Sequence, residues 1–377
     1  MTLPASGPLS LNDIANEFSG RIYPSNYSVA GRNIQFSDYL NNGGYIPNDG
    51  TIHSSGQISV SMFYDKCDYS TTTKGLWYGG VNSSTSTYYS IRTTVNENGT
   101  VSSDSTLTNA ARTGAGAVYY GGGLALLWGG FVPPSTNYST RLTYITSLGG
   151  FGTDSSMAGT GRRGATGVTY GFDKGLFYGG FNFGVANLTG MYGSFFGTTT
   201  VSSSGVIGTD TYIVGTYMQQ GFYTPAALSY GGNNDKGIFA YGSNGFGRAD
   251  TFQLVSNTGV IGSETAIAGV LGSGSVSGVG YGGDKGLIFR GGCIILRNTL
   301  SNTGVITCEN NVVPSGEEFK SGFVYGGNKG IMGYGRNVSN GAPVNTVQYI
   351  TNVGVAGAVT ATATIARSPG ALTAYGA

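Results

Sequence analysis

Two kinds of short apolar run alternate along most of this chain. The first kind is built from small residues and ends in Tyr-Gly, and the second opens with Lys-Gly in most copies and ends in glycine. A typical pair is AALSYGG followed by KGIFAYG, with Asn and Asp between them. Short apolar runs bounded by turn residues are typical of β-strands joined in tight hairpins. The pattern therefore predicts an all-β domain made of repeated strand pairs.

The second kind of run occurs six times, and this sets the number of repeats. Its copies are KGLWYGG (74–80), LALLWGG (124–130), KGLFYGG (174–180), KGIFAYG (236–242), KGLIFRG (285–291) and KGIMGYG (329–335). Within 223–270 the pattern predicts four strands, namely YTPAALSYGG, KGIFAYG, TFQLVSN and VIGSETAIAG. Four strands per unit with tight turns are typical of a β-propeller blade.

The two ends of the repeat region each carry half of a blade. The first KGLWYGG run has no clear Tyr-Gly run before it, and the last, RSPGALTAYGA (367–377), has no second run after it. Pairing these two halves closes a ring and removes the exposed sheet edges of an open stack. We therefore expect residues 67–377 to form a six-bladed β-propeller closed by the C-terminal strand.

The paired glycines that close these runs resemble those of kelch repeats, which are about 50 residues long. Arg112, Arg163 and Arg367 precede first strands, as the kelch pattern suggests. The resemblance implies a kelch-like propeller. The third to fifth Tyr-Gly runs in chain order lack this arginine, and the third-strand tryptophan of many kelch repeats is absent. The resemblance therefore implies no kelch partner or activity.

Residues 1–66 lie outside the repeat and predict a small mixed or irregular module with one short helix. A capping-box-like start at Ser10 precedes Leu11, Ile14 and Phe18, which share one helical face. The phrases LSLNDI, IQFSDY and ISVSMF repeat one amphipathic pattern. So short a segment cannot build a stable core alone. We expect a docking module completed by a partner, with these contact residues: Leu11, Ile14, Phe18, Tyr39 and Phe63.

The phrase LPASGPLSLNDIANEF, followed by NNGGYIPN and ISVSMFYD, resembles an N-terminal module of tailed-bacteriophage virion proteins. In that family the module occurs on tail, neck and fibre components. The resemblance implies that this protein is located on a virion and that its partners are portal, neck, tail or capsid components. A homo-oligomer is compatible with this reading. The alternative is that residues 1–66 are an ordinary cap under the propeller.

Composition argues against several functional classes. Formal net charge is +1, so no bulk field recruits nucleic acid. No run is long enough to insert in a membrane, and no signal peptide is evident. His53 is the single histidine and the chain has three cysteines, Cys67, Cys293 and Cys308. These residues provide no catalytic triad or zinc site. We expect no cofactor, no metal and no enzymatic activity.

Two surfaces are candidates for binding. Lys74, Lys174, Lys236, Lys285 and Lys329 open second strands, so they predict a partial ring on the face of the tight turns. The opposite face should carry loops of unequal length, where recognition usually lies. Its candidate contact residues are Phe131, Tyr138, Phe181, Phe183, Tyr192 and Phe246.

Three functional hypotheses follow. The leading hypothesis is a non-enzymatic virion structural or adhesion protein, anchored by residues 1–66, whose propeller is displayed to a host surface polysaccharide or to a neighbouring subunit. The second is a stand-alone carbohydrate-binding propeller. The third is a glycan-cleaving propeller enzyme, for which the sequence offers few carboxylates.

Overall fold

The computed structural model describes most of the repeat region. The described residues are 73–121, 123–133, 139–156, 161–171, 173–186, 192–194, 197–212, 226–231, 235–240, 251–267, 276–290, 296–309, 317–337, 339–368 and 371–375. These ranges form β-strands and contain no helix. The predicted N-terminal module and its short helix lie outside them.

Six four-stranded antiparallel sheets form the blades. Blade 1 contains β1 (Lys74–Tyr78), β4 (Ile91–Val95), β5 (Ser105–Thr106) and β28 (Ala371–Tyr375). Blade 2 contains β6 (Gly116–Tyr120), β7 (Leu124–Trp128), β8 (Arg141–Ile145) and β9 (Ser155–Ser156). Blade 3 contains β10 (Thr166–Tyr170), β11 (Lys174–Tyr178), β14 (Gly197–Val201) and β15 (Thr211–Tyr212).

The other three blades follow in chain order. Blade 4 contains β16 (Ala226–Tyr230), β17 (Lys236–Ala240), β18 (Thr251–Val255) and β19 (Thr265–Ala266). Blade 5 contains β20 (Val276–Tyr281), β21 (Lys285–Arg290), β22 (Leu296–Leu300) and β23 (Ile306–Glu309). Blade 6 contains β24 (Glu317–Tyr325), β25 (Lys329–Asn337), β26 (Pro343–Ile350) and β27 (Ala356–Ala361). The four strands of each blade are called A to D from its first strand to its last, with β28 as strand A of blade 1.

The A strands form a closed circle. Each contacts the A strand of the next blade, from β6 through β10, β16 and β20 to β24, and β24 and β6 both contact β28. Strand β28 pairs with β1 over five residues, from Lys74 opposite Tyr375 to Tyr78 opposite Ala371. The predicted six-bladed propeller, closed by the C-terminal strand, is confirmed.

The hydrophobic core of the described residues lies between blades. Each of its six clusters combines side chains from two neighbouring blades. Between blades 2 and 3, for example, Trp128 meets Phe177 with ring centroids 5.1 Å apart. The glycine of each Lys-Gly pair leaves room for this packing, because a Cβ on Gly175 would lie 2.7 Å from Val118 Cγ2 of the preceding blade.

The recurring Tyr-Gly pair fastens one blade to the next. The Gly171 backbone N–H donates to the carbonyl of Asp235 in the A–B turn of the following blade (2.8 Å). Tyr170 packs against Gly259 in the C–D turn of that blade, where a Cβ would lie 2.6 Å from the ring. Four other Tyr-Gly pairs repeat both contacts, at Tyr120, Tyr230, Tyr281 and Tyr325.

The D strand of blade 4 is shorter than the sequence pattern predicts. In blade 4 the run VIGSETAIAG forms one bridge, between Val255 and Ile261, and then the two-residue strand β19. A buried Gln253 on the neighbouring strand donates its side-chain N–H to the Gly262 carbonyl (3.2 Å), so a side chain replaces part of the ladder. The alternation of apolar residues in the sequence does not show where a side-chain hydrogen bond takes the place of a backbone hydrogen bond between strands.

Candidate functional site

The propeller has two chemically different faces. On one face the A–B and C–D turns meet, as shown by Lys74 Nζ lying 3.8 Å from Glu97 Oε2 and by Asn302 Nδ2 donating to Asp284 Oδ2 (3.1 Å). We call it the tight-turn face. The B–C and D–A connections meet on the opposite side, which we call the loop face. There Val81 forms a bridge with Ser368.

The B–C connections of blades 1 and 3 contain hairpins of their own. Strands β2 (Val81–Asn82) and β3 (Thr87–Tyr88) pair in blade 1, and β12 (Phe181–Ala186) and β13 (Tyr192–Ser194) pair in blade 3. The Asn82 side chain closes the first hairpin by accepting the backbone N–H groups of Ser84 and Thr85 (3.0 and 3.3 Å). Such an Asx turn holds the hairpin in one conformation.

An aromatic contact joins the B–C connections of blades 1 and 2. The rings of Tyr88 and Phe131 lie 5.8 Å apart and are inclined by 50°. Both residues are half-buried, so part of each ring stays available to solvent. Phe131 is held by mutual backbone hydrogen bonds with Thr113. The two rings therefore form an apolar contact at a defined position on the loop face, which we call the Tyr88–Phe131 step.

The structure places the predicted binding residues as follows. Phe131 lies in the Tyr88 contact, and Phe181, Phe183 and Tyr192 are on the backbone of the β12–β13 hairpin. Tyr138 and Phe246 lie outside the described residues, as do the predicted docking residues Leu11, Ile14, Phe18, Tyr39 and Phe63. Tyr88 is a loop-face aromatic that the sequence analysis did not single out.

Beneath these connections lies a repeated buried cluster, which we call the arginine clamp. In blade 2, Arg112 lies 3.1 Å from Asp154, and both contact Thr143 of strand C. In blade 3, Arg162 lies 2.7 Å from Asp210 and both contact Thr199. In blade 1, Arg367 lies 3.1 Å from Asp104 and donates to Thr93 (2.7 Å). All three arginines are fully buried.

Each clamp also contacts the preceding blade. The guanidinium of Arg162 lies 4.2 Å from the ring centre of Trp128, Arg367 lies 4.6 Å from that of Tyr334, and Arg112 lies 5.4 Å from that of Tyr78. These are cation–π distances. The backbone carbonyls of Arg112 and Arg162 accept the N–H of Gly80 and Gly130, where the B–C connections start. The clamps thus fix the base of the loop face.

The arginine clamp of blade 2 sets the ionisation state of Asp154. Burial alone would raise the pKa of Asp154. Hydrogen bonds from Thr143, the Ala110 N–H and Asn109, together with the Arg112 charge, outweigh this effect and lower that pKa below its usual range. Asp154 is therefore a carboxylate at neutral pH and neutralises Arg112.

The buried arginine of blade 3 differs from the sequence prediction. Arg163 was expected to occupy the kelch position, but Arg162 is the residue equivalent to Arg112 and Arg367, and Arg163 is only half-buried. A signal for the clamp was present in the sequence. A threonine precedes an aspartate by eleven residues in each clamped blade, at Thr93, Thr143 and Thr199.

The described residues contain no group of three His, Cys, Asp or Glu side chains arranged to hold a metal. No helix in the described part of the chain is long and apolar enough to span a membrane.

Comparisons with known proteins add little beyond these observations. No family model matches the chain, and no curated protein matches it in sequence. Among solved structures, one titled "Structure of YjhT" is similar with a TM-score of 0.49 and 11% identity, over 69% of this chain and 88% of that one.

Proposed function

We propose that this chain is a non-enzymatic binding protein whose loop face recognises a surface polysaccharide or a neighbouring protein. The observation that carries the proposal is the Tyr88–Phe131 step, which joins two B–C connections directly above buried clamps. A binding site gains affinity when its contact residues are held in place before the ligand arrives. Hydrogen bonds hold the described parts of both connections at Asn82 and at Phe131, so little order has to be created at these positions on binding.

Most of the buried charge of this face is neutralised. Arg162 and Arg367 each pair with their own aspartate, whereas Asp154 is shared by Arg112 and the exposed Arg141, which leaves one positive charge in blade 2. Half-buried aromatic rings, with Asn, Ser and Thr side chains nearby, suit sugar rings or protein loops.

We further propose that the protein acts on a virion, with residues 1–66 as its anchor. This part of the proposal rests on the N-terminal phrases LPASGPLSLNDIANEF and ISVSMFYD. A pull-down from purified virions should compare the full chain with a chain that begins at Asp68. We expect only the full chain to retain a capsid, neck or tail protein. Equal retention by both chains would assign the attachment to the propeller, and retention by neither would remove the virion role.

Binding itself should be tested with the full chain on arrays of host envelope polysaccharides. We expect Phe131→Ala to weaken binding about tenfold or more, as expected for a central aromatic contact. Tyr144→Ala is the matched control, because Tyr144 is an exposed aromatic on β8 whose hydroxyl donates to the Gly205 carbonyl in a C–D turn (3.3 Å), on the side of the tight-turn face. Equal loss in both variants would place the ligand elsewhere.

The same experiments distinguish the three functional hypotheses. Glycan binding without retention of any virion protein would favour the stand-alone carbohydrate-binding propeller, and release of cleaved sugar would favour the glycan-cleaving enzyme.

A further inference from the structure

One charged residue breaks the repeat on the loop face. Strand C of blade 2 begins with Arg141, whereas the corresponding first residues in blades 1, 3, 4 and 5 are uncharged, namely Ile91, Gly197, Thr251 and Leu296. Arg141 follows the B–C connection directly, so it belongs to the loop face. Blade 2 also supplies Phe131 to the Tyr88–Phe131 step. An extra positive charge therefore accompanies the aromatic contact in this blade.

The backbone of Arg141 is held in place. Its N–H donates to the Ser139 hydroxyl (2.9 Å), and its carbonyl accepts from the Gly129 N–H (2.9 Å) and from Arg112 Nη1 (3.2 Å). The side chain is anchored as well, because Nη1 donates to Asp154 Oδ2 (3.4 Å). An arginine held in this way loses less rotamer freedom on binding a ligand than one that moves freely in water.

Asp154 does not neutralise the charge of Arg141. The same carboxylate lies 3.1 Å from Arg112, which is fully buried and has no water to replace its counterion. One negative charge thus serves two guanidinium groups. The longer contact belongs to Arg141, whose side chain is 44% exposed. The excess positive charge of the cluster therefore meets solvent at Arg141.

No other carboxylate of blades 1 to 3 pairs with Arg141. The chain has five acidic residues between positions 73 and 212, which are Glu97, Asp104, Asp154, Asp173 and Asp210. Three of them are in the clamps, and the other two lie in tight turns on the opposite face, each beside a lysine. Arg163, on the D–A connection of blade 3, adds a further positive charge to the loop face. In these blades the loop face therefore attracts anions.

Arg141 and the aromatic step lie on one connection. The Ser139 N–H donates to the Gly130 carbonyl (2.8 Å), and the Ser139 hydroxyl accepts the Arg141 N–H. Phe131 follows Gly130 directly, so Phe131 and Arg141 flank the same hydrogen-bonded pair of residues. Diagonal neighbours across an antiparallel pair lie about 7–8 Å apart, which is within reach of aromatic and long side chains. One sugar unit can therefore contact both.

We propose, on the basis of the function proposed above, that the ligand of the loop face is an acidic polysaccharide whose sugar ring packs on the Tyr88–Phe131 step and whose carboxylate binds Arg141. A guanidinium has five N–H donors and binds a carboxylate through two parallel hydrogen bonds. In the described part of the chain, Asp154 is the one acceptor that the Arg141 side chain contacts, so further donors remain for a ligand. Arg141 thus determines specificity for the charge of the sugar.

The test uses the full chain on arrays that carry each host envelope polysaccharide in two forms, native and with its carboxyl groups reduced to alcohols. We expect the unaltered chain to bind a native carboxylated polysaccharide and to lose about tenfold or more in apparent affinity for its reduced form, the usual effect of losing a charge-assisted hydrogen bond. Arg141→Gln should bind the native form as weakly as the unaltered chain binds the reduced form. Arg141→Lys keeps the charge but not the paired N–H groups, so it should fall between them.

Arg92→Gln is the matched control. Arg92 lies on strand C of blade 1 and donates to the Gly149 carbonyl in a C–D turn, on the side of the tight-turn face. This variant removes the same charge from the neighbouring blade, and both polysaccharide forms should bind to it as they bind to the unaltered chain. Thermal denaturation of Arg141→Gln should show a folded protein, because Asp154 keeps its pairing with the buried Arg112.

Phe131→Ala separates the acidic ligand from the loop-face site itself, since it should weaken binding of the native and reduced forms alike. Loss of binding in Phe131→Ala without any effect of carboxyl reduction or of Arg141→Gln would keep the loop-face site and overturn the acidic ligand. Equal loss of both forms in Arg141→Gln would make this residue a structural support and overturn its role in specificity. Binding to phosphorylated polysaccharides alone, which the reduction leaves unaltered, would also overturn the carboxylate assignment. An unaltered chain that binds neither form of any polysaccharide would overturn both the acidic ligand and the polysaccharide site.

Discussion

Arg112, Arg162 and Arg367 place three positive charges where water does not reach. Burial of a charge is costly unless a partner and hydrogen bonds replace its hydration. In each clamp the aspartate provides the opposite charge, the threonine bridges the two, and an aromatic ring of the preceding blade covers the guanidinium. Each pair fixes the geometry of its blade, and removal of the aspartate leaves a fully buried arginine without its opposite charge.

We expect Asp210→Ala to lower the free energy of unfolding by about 3–5 kcal/mol, the usual range for breaking a buried ion pair. Lys174→Ala removes an exposed ion pair of the same blade and should cost less than about 1 kcal/mol. Urea denaturation followed by tryptophan fluorescence measures both. Similar losses for the two variants would mean that the clamp is not a buried, mutually dependent pair.

The lowered pKa of Asp154 predicts how its clamp responds to acid. A carboxylate whose pKa is lower in the folded state stabilises the protein above its ordinary value, 3.8, and this contribution is lost as pH falls through the folded-state pKa. We therefore expect the stability difference between the unaltered chain and Asp154→Asn to be full at neutral pH and to shrink towards acid. Urea midpoints across that range measure it, and a constant difference would contradict the assignment.

At the level of the element, each blade is held to its neighbour by a residue pair at a strand end. The glycine of the Tyr-Gly pair has a positive φ, which disfavours other residues. It also approaches the next blade closely, and this leaves no room for a side chain. At Gly171, φ is 54° and a Cβ would lie 2.7 Å from the carbonyl oxygen of Asn257. At Gly341, φ is 69° but a Cβ would meet nothing within 4 Å.

We expect Gly341→Ala to cost about 1–2 kcal/mol from backbone strain alone. Gly171→Ala should cost that amount plus about 1–3 kcal/mol for the close contact with the next blade. Thermal denaturation of the two variants separates the terms. Equal melting temperatures would show that the Asn257 contact relaxes without cost.

The repeat, the blade number and the closure were predictable because each leaves a periodic mark on the sequence. Glycine recurs at fixed places because neighbouring blades leave no room for a side chain, as at Gly175 in strand B and at Gly259 in the C–D turn, where the Tyr170 ring of the preceding blade packs. The clamp was only partly predictable. Arg162 and Arg163 are adjacent, and the choice between them depends on which side chain points between the blades. The Gly-Val pairs of the C–D turns were visible in the sequence, but the exposure of their valines is a property of the folded ring.

For the whole molecule, closure depends on one strand from the far end of the chain. Strand β28 supplies the pairing edge for β1, and Arg367 just before it reaches Asp104 and Thr93 of the same blade. The sequence separation of Arg367 and Asp104 is 263 residues, so this ion pair links distant parts of the chain. Blade 1 therefore contains both the earliest and the latest segments of the ring.

We expect a chain that stops after Ala366 to lose the cooperative unfolding transition of the ring, because β1 and the blade 6–blade 1 cluster around Trp77 and Phe323 both lose a neighbour. Arg367→Ala keeps β28 and should retain a cooperative transition at a lower temperature. Differential scanning calorimetry distinguishes them. A truncated chain that melts like the full one would show that the ring is stable while open.

Because blade 1 unites the two ends of the ring, its completion is tied to the direction of protein synthesis. Strand β1 leaves the ribosome before the other blades, and its partner β28 is made after all of them. Throughout that interval β1 has an unpaired edge, which is a site for wrong pairing with other nascent chains. A product that ends before β28 keeps this open edge permanently and remains exposed to such wrong pairing.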